Sequence, residues 1–139
     1  TYTGAFGDAA LAAEAANTQI KAGADVLTGS AQQVVGSIQA AKDNGVYWMG
    51  SQSNQAPLAP DIVVMSQVYD WTAVIKDMIS SHNSGTLGGK VFTMTLNDGG
   101  QTTVYNEGST VPAEKLAEIQ AAVDAAAAGI KDGSIVPAK

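Results

Sequence analysis

The sequence predicts an α/β fold with a mainly parallel sheet. Short apolar runs alternate with segments of helical pattern, and the connections between them are short. This alternation is typical of parallel strands joined by crossover helices. With 139 residues, 45% apolar and 14% charged, the chain has the size of one domain and can bury a core.

Four segments carry the helical pattern: residues 9–22, 32–42, 71–80 and 113 to about 128. The first is rich in alanine, follows the N-cap candidate Asp8 and stops at Gly23. Pro112 suits the first turn of the last helix. The third helix is expected to place Trp71, Val74, Ile75, Met78 and Ile79 on one face, and His82 is expected in the polar turn that follows it.

Strands are predicted where β-branched and aromatic residues cluster: residues 24–28, 46–50, 62–68, 90–96 and 102–105. The first three are separated by helices and are therefore expected to run parallel. Asn97–Gly100 is a hairpin signal, which predicts an antiparallel pair between the last two.

Composition excludes several classes of function. The net charge of -6 and the pI near 4.4 oppose a phosphate backbone, and the seven basic residues are all lysines scattered along the chain. Nucleic-acid binding is therefore not expected. There is no cysteine, hence no disulfide or thiolate site, and no apolar run reaches the length of a membrane span. Because the chain starts at Thr1 without an initiator methionine, we expect a piece of a longer or processed protein.

The sequence offers little for catalysis. His82 is the only histidine, and no Gly-x-Ser-x-Gly motif accompanies it. Six aspartates fall one per element, mostly at caps and turns: Asp8, Asp25, Asp43, Asp61, Asp70 and Asp98. The glycines do not match a phosphate-binding loop. We therefore predict no catalytic residue, no metal site and no cofactor.

Polar and aromatic side chains follow the predicted strands at residues 28–33, 52–55 and 69–71, and a similar group precedes the first helix at residues 2–8. Carboxyl ends of parallel strands share one edge of the sheet, so these groups are expected to converge. Rings and amides suit a flat, hydrogen-bonding small molecule. The ordinary alternatives are solvated loop residues and, for the rings, core packing. The candidate ligand-binding residues are Phe6, Asp8, Thr28, Gln32, Gln33, Gln52, Asn54, Asp70 and Trp71.

Within this set, Phe6 and Trp71 are candidates for ring packing, and the amides and Asp70 for polar recognition. Asp8 serves either as a ligand contact or as a helix cap.

Five segments in order resemble the basic-membrane-protein family: Thr3–Asp8, Gly23–Leu27, Ile38–Tyr47, Leu58–Asp61 and Asp98–Gly100. Members of that family are substrate-binding lipoproteins of ABC importers with the type I periplasmic-binding-protein fold, and many bind purine nucleosides. The resemblance covers nearly the whole chain but only the carboxyl-terminal part of such a protein.

The resemblance implies that residues 1–139 form one carboxyl-terminal lobe, a three-layer αβα lobe, of a two-lobed protein. Ligand would lie in the cleft between lobes. Residues 62–70 and 90–97 would be interlobe crossover segments, and the helix from Trp71 to Asn83 would face the amino-terminal lobe. An exposed apolar face on that helix would favour self-association of the isolated lobe.

The implied function is that of a receptor, not an enzyme, working outside the cytoplasm, lipid-anchored, with importer membrane subunits as partners. Many members have Val-Asp-Ser-Asp-Gln where this chain has Ser51–Gln55, so the amide of Gln52 replaces a carboxylate suited to ribose hydroxyls. The expected ligand is thus a purine nucleoside or a related heterocycle, including a free base or a flavin-like ring. The alternative is a ligand-sensing or interaction domain that reuses the fold without transport.

Overall fold

The computed structural model describes residues 1–137. Its helices and strands follow in the order α1 Ala9–Lys21, β1 Val26–Thr28, α2 Val34–Asp43, β2 Tyr47–Gly50, β3 Val63–Tyr69, α3 Thr72–Asn83, β4 Gln101–Tyr105 and α4 Ala113–Asp132, with a short 3-10 helix at Ala56–Leu58. The predicted α/β fold with a mainly parallel sheet is confirmed.

The four strands form one sheet in the order β1-β2-β3-β4. β1 pairs with β2 and β2 pairs with β3, both in parallel. Asn106 N–H donates to the Val64 carbonyl, and Asp70 N–H donates to the Gly100 carbonyl. Between these two bonds the residue number rises along β3 and falls along β4, so β4 runs antiparallel to β3.

The predicted strand at 90–96 and its hairpin are wrong. Residues 90–95 have no regular secondary structure, and β4 is the neighbour of β3 instead. The Asn97–Gly100 turn does form, but Asp98 Oδ1 closes it locally by accepting from the Thr95 and Gly100 N–H groups at 3.0 and 2.8 Å. The turn therefore does not align two strands.

His82 is also placed differently from its prediction. It lies in the last turn of α3, which continues to Asn83, rather than in a turn beyond the helix. The side chain is exposed.

The chain divides into two compact units, each described by itself. The first unit comprises Thr1–Val68 and Thr103–Ala117, and the second comprises Tyr69–Thr102 and the chain from Glu118. The core of the first unit is a cluster of buried residues from α2, β2, β3 and the connections around them: Ile38, Ala41, Val46, Trp48, Ala59, Ile62 and Val63. β2 and β3 thus supply a central apolar layer, as expected for parallel strands that are covered by helices.

Helix α1 begins where the sequence predicts it. The Asp8 carboxylate accepts from the Ala10 and Leu11 N–H groups at 3.0 and 3.1 Å, which satisfies two donors of the first turn. α1 packs closely on α2, because Gly36 brings the backbone of α2 against the Ala9 carbonyl. This packing fixes the position of the segment that precedes α1.

In the second unit, α3 presents an exposed apolar face. Val74 is buried, whereas the neighbouring large apolar residues of this face are about half exposed: Trp71 53%, Ile75 49%, Met78 44% and Ile79 55%.

Candidate functional site

Three of the four predicted polar groups lie in the first unit, and hydrogen bonds tie them together. Gln33 Nε2 donates to Thr3 Oγ1 at 2.7 Å, joining the segment after β1 to the segment before α1. Gln52 Nε2 donates to Ser30 Oγ at 2.8 Å, joining the loops after β2 and β1. The first unit therefore gathers these groups along one edge of the sheet.

The loop after β2 has an unusual backbone at Gln52. Gln52 has φ 70°, the only positive φ outside glycine among residues 1–137. The left-handed region costs a residue with a Cβ about 1 kcal/mol. Ser51 Oγ donates to the Gly29 carbonyl at 2.6 Å, and this bond holds the loop after β2, next to Gln52, against the loop after β1. Such strain is commonly found at ligand-binding loops.

Gln33 is buried, with 8% of its surface exposed, although it follows a loop. Its amide nitrogen is used by Thr3, but its Oε1 is buried without a hydrogen-bond partner. A buried acceptor without a partner costs about 1 to 3 kcal/mol. Gln33 thus keeps one buried, unused acceptor, and the residue is among those that line a cavity.

That cavity has a volume of about 730 Å³ and lies within the first unit. The segment 1–6 forms one wall, and α1, the end of β1, the start of α2 and Trp48 form the others. None of the lining side chains carries a formal charge, so the cavity suits uncharged groups.

The remaining candidates of the first unit have different surroundings. Phe6 is 71% exposed and lines the cavity rim, so it is not a core residue. Thr28 lines the cavity as well, and its hydroxyl donates to the Met49 carbonyl at 2.8 Å. Asn54 Oδ1 accepts from the N–H of Ala56, the first residue of the 3-10 helix, and Gln32 is exposed. Asp8 caps α1, the second of the two roles expected for it.

Asp70 and Trp71 belong to the second unit. Asp70 Oδ1 accepts from Thr72 N–H at 2.8 Å, and hydrogen bonds from the Thr72 side chain and backbone lower the pKa of Asp70 below its ordinary value of 3.8. Asp70 is therefore ionised at neutral pH. The exposed ring of Trp71 meets Tyr69 edge to face, with the ring centroids 6.4 Å apart.

Sequence reasoning missed the role of Gln55. It is only 6% exposed, and its Oε1 accepts from Trp48 Nε1 at 2.7 Å. A tryptophan within an apolar strand needs an acceptor for its N–H. The amide side chains that follow the strand in the sequence could have been predicted to supply that acceptor.

No group of three or more metal-ligating side chains is present in the described part of the chain. Among the helices of residues 1–137, none is both long and apolar enough to cross a membrane.

Comparison with solved structures shows the same fold in much longer proteins. A transcriptional activator of the comK gene from Bacillus halodurans matches with TM-score 0.77 at 20% identity, over 99% of this chain and 47% of that one. ABC transporter solute-binding proteins match from Conexibacter woesei DSM 14684 (TM-score 0.71, 23% identity, 99% of this chain and 45% of that one) and from Aeropyrum pernix K1 (TM-score 0.74, 20% identity, 100% and 48%). This chain thus spans about half the length of these proteins.

No match was found among curated protein sequences. The model of one protein family, described as Bmp, ABC transporter substrate-binding protein PnrA-like, matches residues 1–127. That range includes the capped α1, both bridged loops and the strained Gln52. The chain therefore belongs to the Bmp family of PnrA-like ABC transporter substrate-binding proteins.

Proposed function

We propose that this chain is a lobe of the solute-binding receptor of an ABC importer, and that its ligand is a purine nucleoside or a related heterocycle. The observation that carries the proposal is the family match over residues 1–127 together with the loops that Gln33 and Gln52 tie to one edge of the sheet. Ligands of open α/β folds bind at this edge.

The polar groups at this edge favour an uncharged ligand. Gln52 is exposed on a strained loop and carries an amide, and Gln33 holds an unused acceptor. Gln52 can offer a donor and an acceptor to a heterocycle, since an amide carries both kinds of group, and Gln33 can offer its Oε1 as an acceptor. The exposed ring of Phe6 can cover the plane of such a ligand.

The other proposed contact residues differ in which of their polar atoms or rings remain available to a ligand. Gln32 is exposed, whereas Thr28 and Asn54 already make local hydrogen bonds and would contact ligand with their remaining lone pairs. Asp8 is proposed as a contact only through its second oxygen, because Oδ1 caps α1. Asp70 offers a carboxylate and Trp71 an exposed ring.

The proposal includes the whole receptor. Residues 62–70 and 90–97 would connect this lobe to a second lobe, and ligand would be enclosed between the two by closure. The receptor would work outside the cytoplasm, held by a lipid anchor, and would deliver ligand to the importer's membrane subunits.

Titration calorimetry on the full-length protein tests the ligand. The panel is adenosine, inosine, guanosine, their free bases and riboflavin. We expect binding of at least one compound, and a loss of tenfold or more in affinity for Phe6→Ala, because the ring covers one face of the ligand.

The matched control is Gln39→Ala, which removes an exposed amide of α2 that bonds only to Asp43. It is expected to leave affinity unchanged, whereas Gln52→Ala weakens binding. Absence of binding across the panel, or equal affinities for Gln52→Ala and Gln39→Ala, contradicts the proposal.

A second candidate function is ligand sensing without transport. It is kept because one protein of the same fold is named as a transcriptional activator. Two observations on the full-length protein distinguish these functions. Binding to membrane permease subunits supports the importer receptor, whereas a DNA-binding or signalling module in the same polypeptide supports the sensor.

A further inference from the structure

The buried Trp48 of β2 contacts both the loop after β1 and the loop after β2. Its Nε1 donates to Gln55 Oε1 at 2.7 Å in the loop after β2. Its six-membered ring lies against Gly29 in the loop after β1, where an added Cβ would be 3.3 Å from Trp48 Cη2. One indole ring therefore supports two loops.

Gln55 is held within the fold by its side-chain amide and by its backbone N–H. Oε1 accepts from Trp48, Nε2 donates to the Ser51 carbonyl at 2.9 Å, and the backbone N–H donates to Ser66 Oγ at 3.0 Å. A Cβ at Gly50 would overlap Ser66 Oγ and touch Gln55 Oε1, so only glycine fits between them. Gln55 is buried, and these contacts leave it no room to move toward a ligand.

These contacts form a closed circuit. The amide of Gln55 joins Trp48 to the Ser51 carbonyl. Ser51 Oγ donates to the Gly29 carbonyl at 2.6 Å, and Gly29 packs on the Trp48 ring, which closes the circuit. The circuit therefore sets the distance between the loop after β1 and the loop after β2.

The same two loops carry the proposed ligand contact Gln52. Gln52 Nε2 donates to Ser30 Oγ at 2.8 Å, and the backbone of Gln52 has φ 70°. The carbonyl that Gln55 binds belongs to Ser51, the residue directly before Gln52. Gln55 thus acts on the backbone next to the left-handed residue.

We propose that Gln55 is a positioning residue of the ligand site. By closing the circuit it fixes the spacing of the two loops and holds Gln52 in the conformation that contacts ligand, without touching ligand itself. A loop that is held in place before binding loses less conformational freedom on binding, so the affinity is higher. The inference rests on the ligand site proposed above.

The test uses Gln55→Glu in the full-length protein. A protonated carboxyl has the shape of the amide and offers both an O–H donor and an acceptor, so it can complete the circuit. A carboxylate only accepts, and its charge faces the Ser51 carbonyl. Burial and that carbonyl raise the pKa of the new carboxyl above the ordinary glutamate value of about 4.3. The groups that bond Gln55, on Trp48, Ser51 and Ser66, do not titrate.

Two readouts are compared at about pH 8 and about pH 5. Calorimetry measures affinity for the compound of the nucleoside panel that the parent protein binds most tightly. We expect Gln55→Glu to bind it about tenfold more weakly than the parent at the higher pH and within about threefold of the parent at the lower pH. NMR without ligand follows the backbone chemical shifts of Gln52, which report its φ. In Gln55→Glu we expect the left-handed shifts to be lost at the higher pH and to return at the lower pH.

Two further variants separate positioning from a general loss of stability. Ser51→Ala opens the circuit at the Gly29 carbonyl without adding a charge, and it is expected to weaken binding at both pH values. Combined with Gln55→Glu at the higher pH, it should weaken binding no further, because the circuit is already open. Leu116→Ala, at a buried position of α4 outside the circuit, should lower the stability and leave the affinity unchanged. Circular dichroism verifies that each variant folds.

The inference is overturned if Gln55→Glu binds as tightly as the parent at the higher pH, if the ratio of the two affinities is the same at both pH values, or if Leu116→Ala weakens binding equally. The NMR readout distinguishes its failure from that of the proposed function. If no compound of the panel binds the parent but the Gln52 shifts follow pH in Gln55→Glu, the proposed ligand is wrong and positioning of Gln52 by Gln55 stands. Unchanged Gln52 shifts overturn the positioning role even where a compound binds.

Discussion

Trp48 Nε1 donates a hydrogen bond of 2.7 Å to Gln55 Oε1, and both residues are buried. Gln55 also donates from Nε2 to the Ser51 carbonyl at 2.9 Å and from its N–H to Ser66 Oγ at 3.0 Å. One amide residue thus connects the core tryptophan of β2, the loop after β2, and β3. The Ser51 carbonyl that Gln55 binds directly precedes the strained Gln52.

We expect Gln55→Leu to lower the free energy of unfolding by about 2 to 3 kcal/mol. The substitution leaves the buried Trp48 N–H without an acceptor, and a buried donor without a partner costs about 1 to 3 kcal/mol. It also releases the Ser51 carbonyl. Urea unfolding followed by circular dichroism measures the difference.

Gln32→Leu is the matched control, since Gln32 is exposed. Its free energy of unfolding should stay within about 0.5 kcal/mol of the parent chain. Equal losses for the two substitutions would show that Gln55 is not a structural connection.

We expect Gly36→Ala to destabilise the first unit by about 2 kcal/mol or more, because a Cβ at Gly36 would overlap the Ala9 carbonyl and push α1 away from α2. The control is Gly7→Ala, where a Cβ meets open space and φ is not positive. Thermal unfolding of both variants gives the comparison. A Gly36→Ala variant as stable as Gly7→Ala would mean that the helices separate without cost.

Local pattern was enough to predict the elements that local chemistry determines. Alanine content and the Asp8 cap predict α1, and apolar runs between helices predict the parallel strands β1 to β3. The partner of β4 was predicted wrongly, because the Asn97–Gly100 signal is local and gives no information about the free edge of β3. The buried positions of Gln33 and Gln55 were not predicted either, because an amide is normally exposed and its burial depends on a tertiary partner.

Gln52→Gly is expected to raise the free energy of unfolding, or leave it unchanged, while weakening ligand binding. Glycine adopts φ 70° without strain, which recovers up to about 1 kcal/mol, but the amide that bonds Ser30 is lost. Urea unfolding and calorimetry on the same variant measure the two effects. Loss of both stability and binding would instead indicate that the Gln52–Ser30 bond holds the loop in place.

The turn around Asp98 should make stability depend on pH. Hydrogen bonds from Gly100 N–H and then Thr95 lower the pKa of Asp98 below its ordinary value of 3.8. Since the unfolded chain keeps the ordinary pKa, the stabilisation is complete above about pH 4 and is lost as pH falls through the lowered pKa. In Asp98→Asn, the loss of folding stability that Asp98 causes below pH 4 should disappear.

Urea unfolding midpoints between pH 7 and pH 2.5 measure this effect. The control is Asp77→Asn, at an exposed position of α3, which should keep the decline of the parent chain. Parallel pH profiles for Asp98→Asn and the parent chain would exclude a contribution from the turn.

The apolar face of α3 should cause the isolated chain to self-associate. Trp71, Ile75, Met78 and Ile79 are each about half exposed, and contiguous apolar surface of this kind is usually covered by a partner. We expect the sedimentation coefficient to rise with protein concentration, and Ile79→Glu to abolish that rise by placing a charge in the face. Ser80→Glu adds the same charge at a neighbouring exposed polar position and should leave association intact. If both variants dissociate equally, net charge rather than the apolar face governs association. A parent chain that is monomeric at all concentrations would show that the face does not bind a second copy.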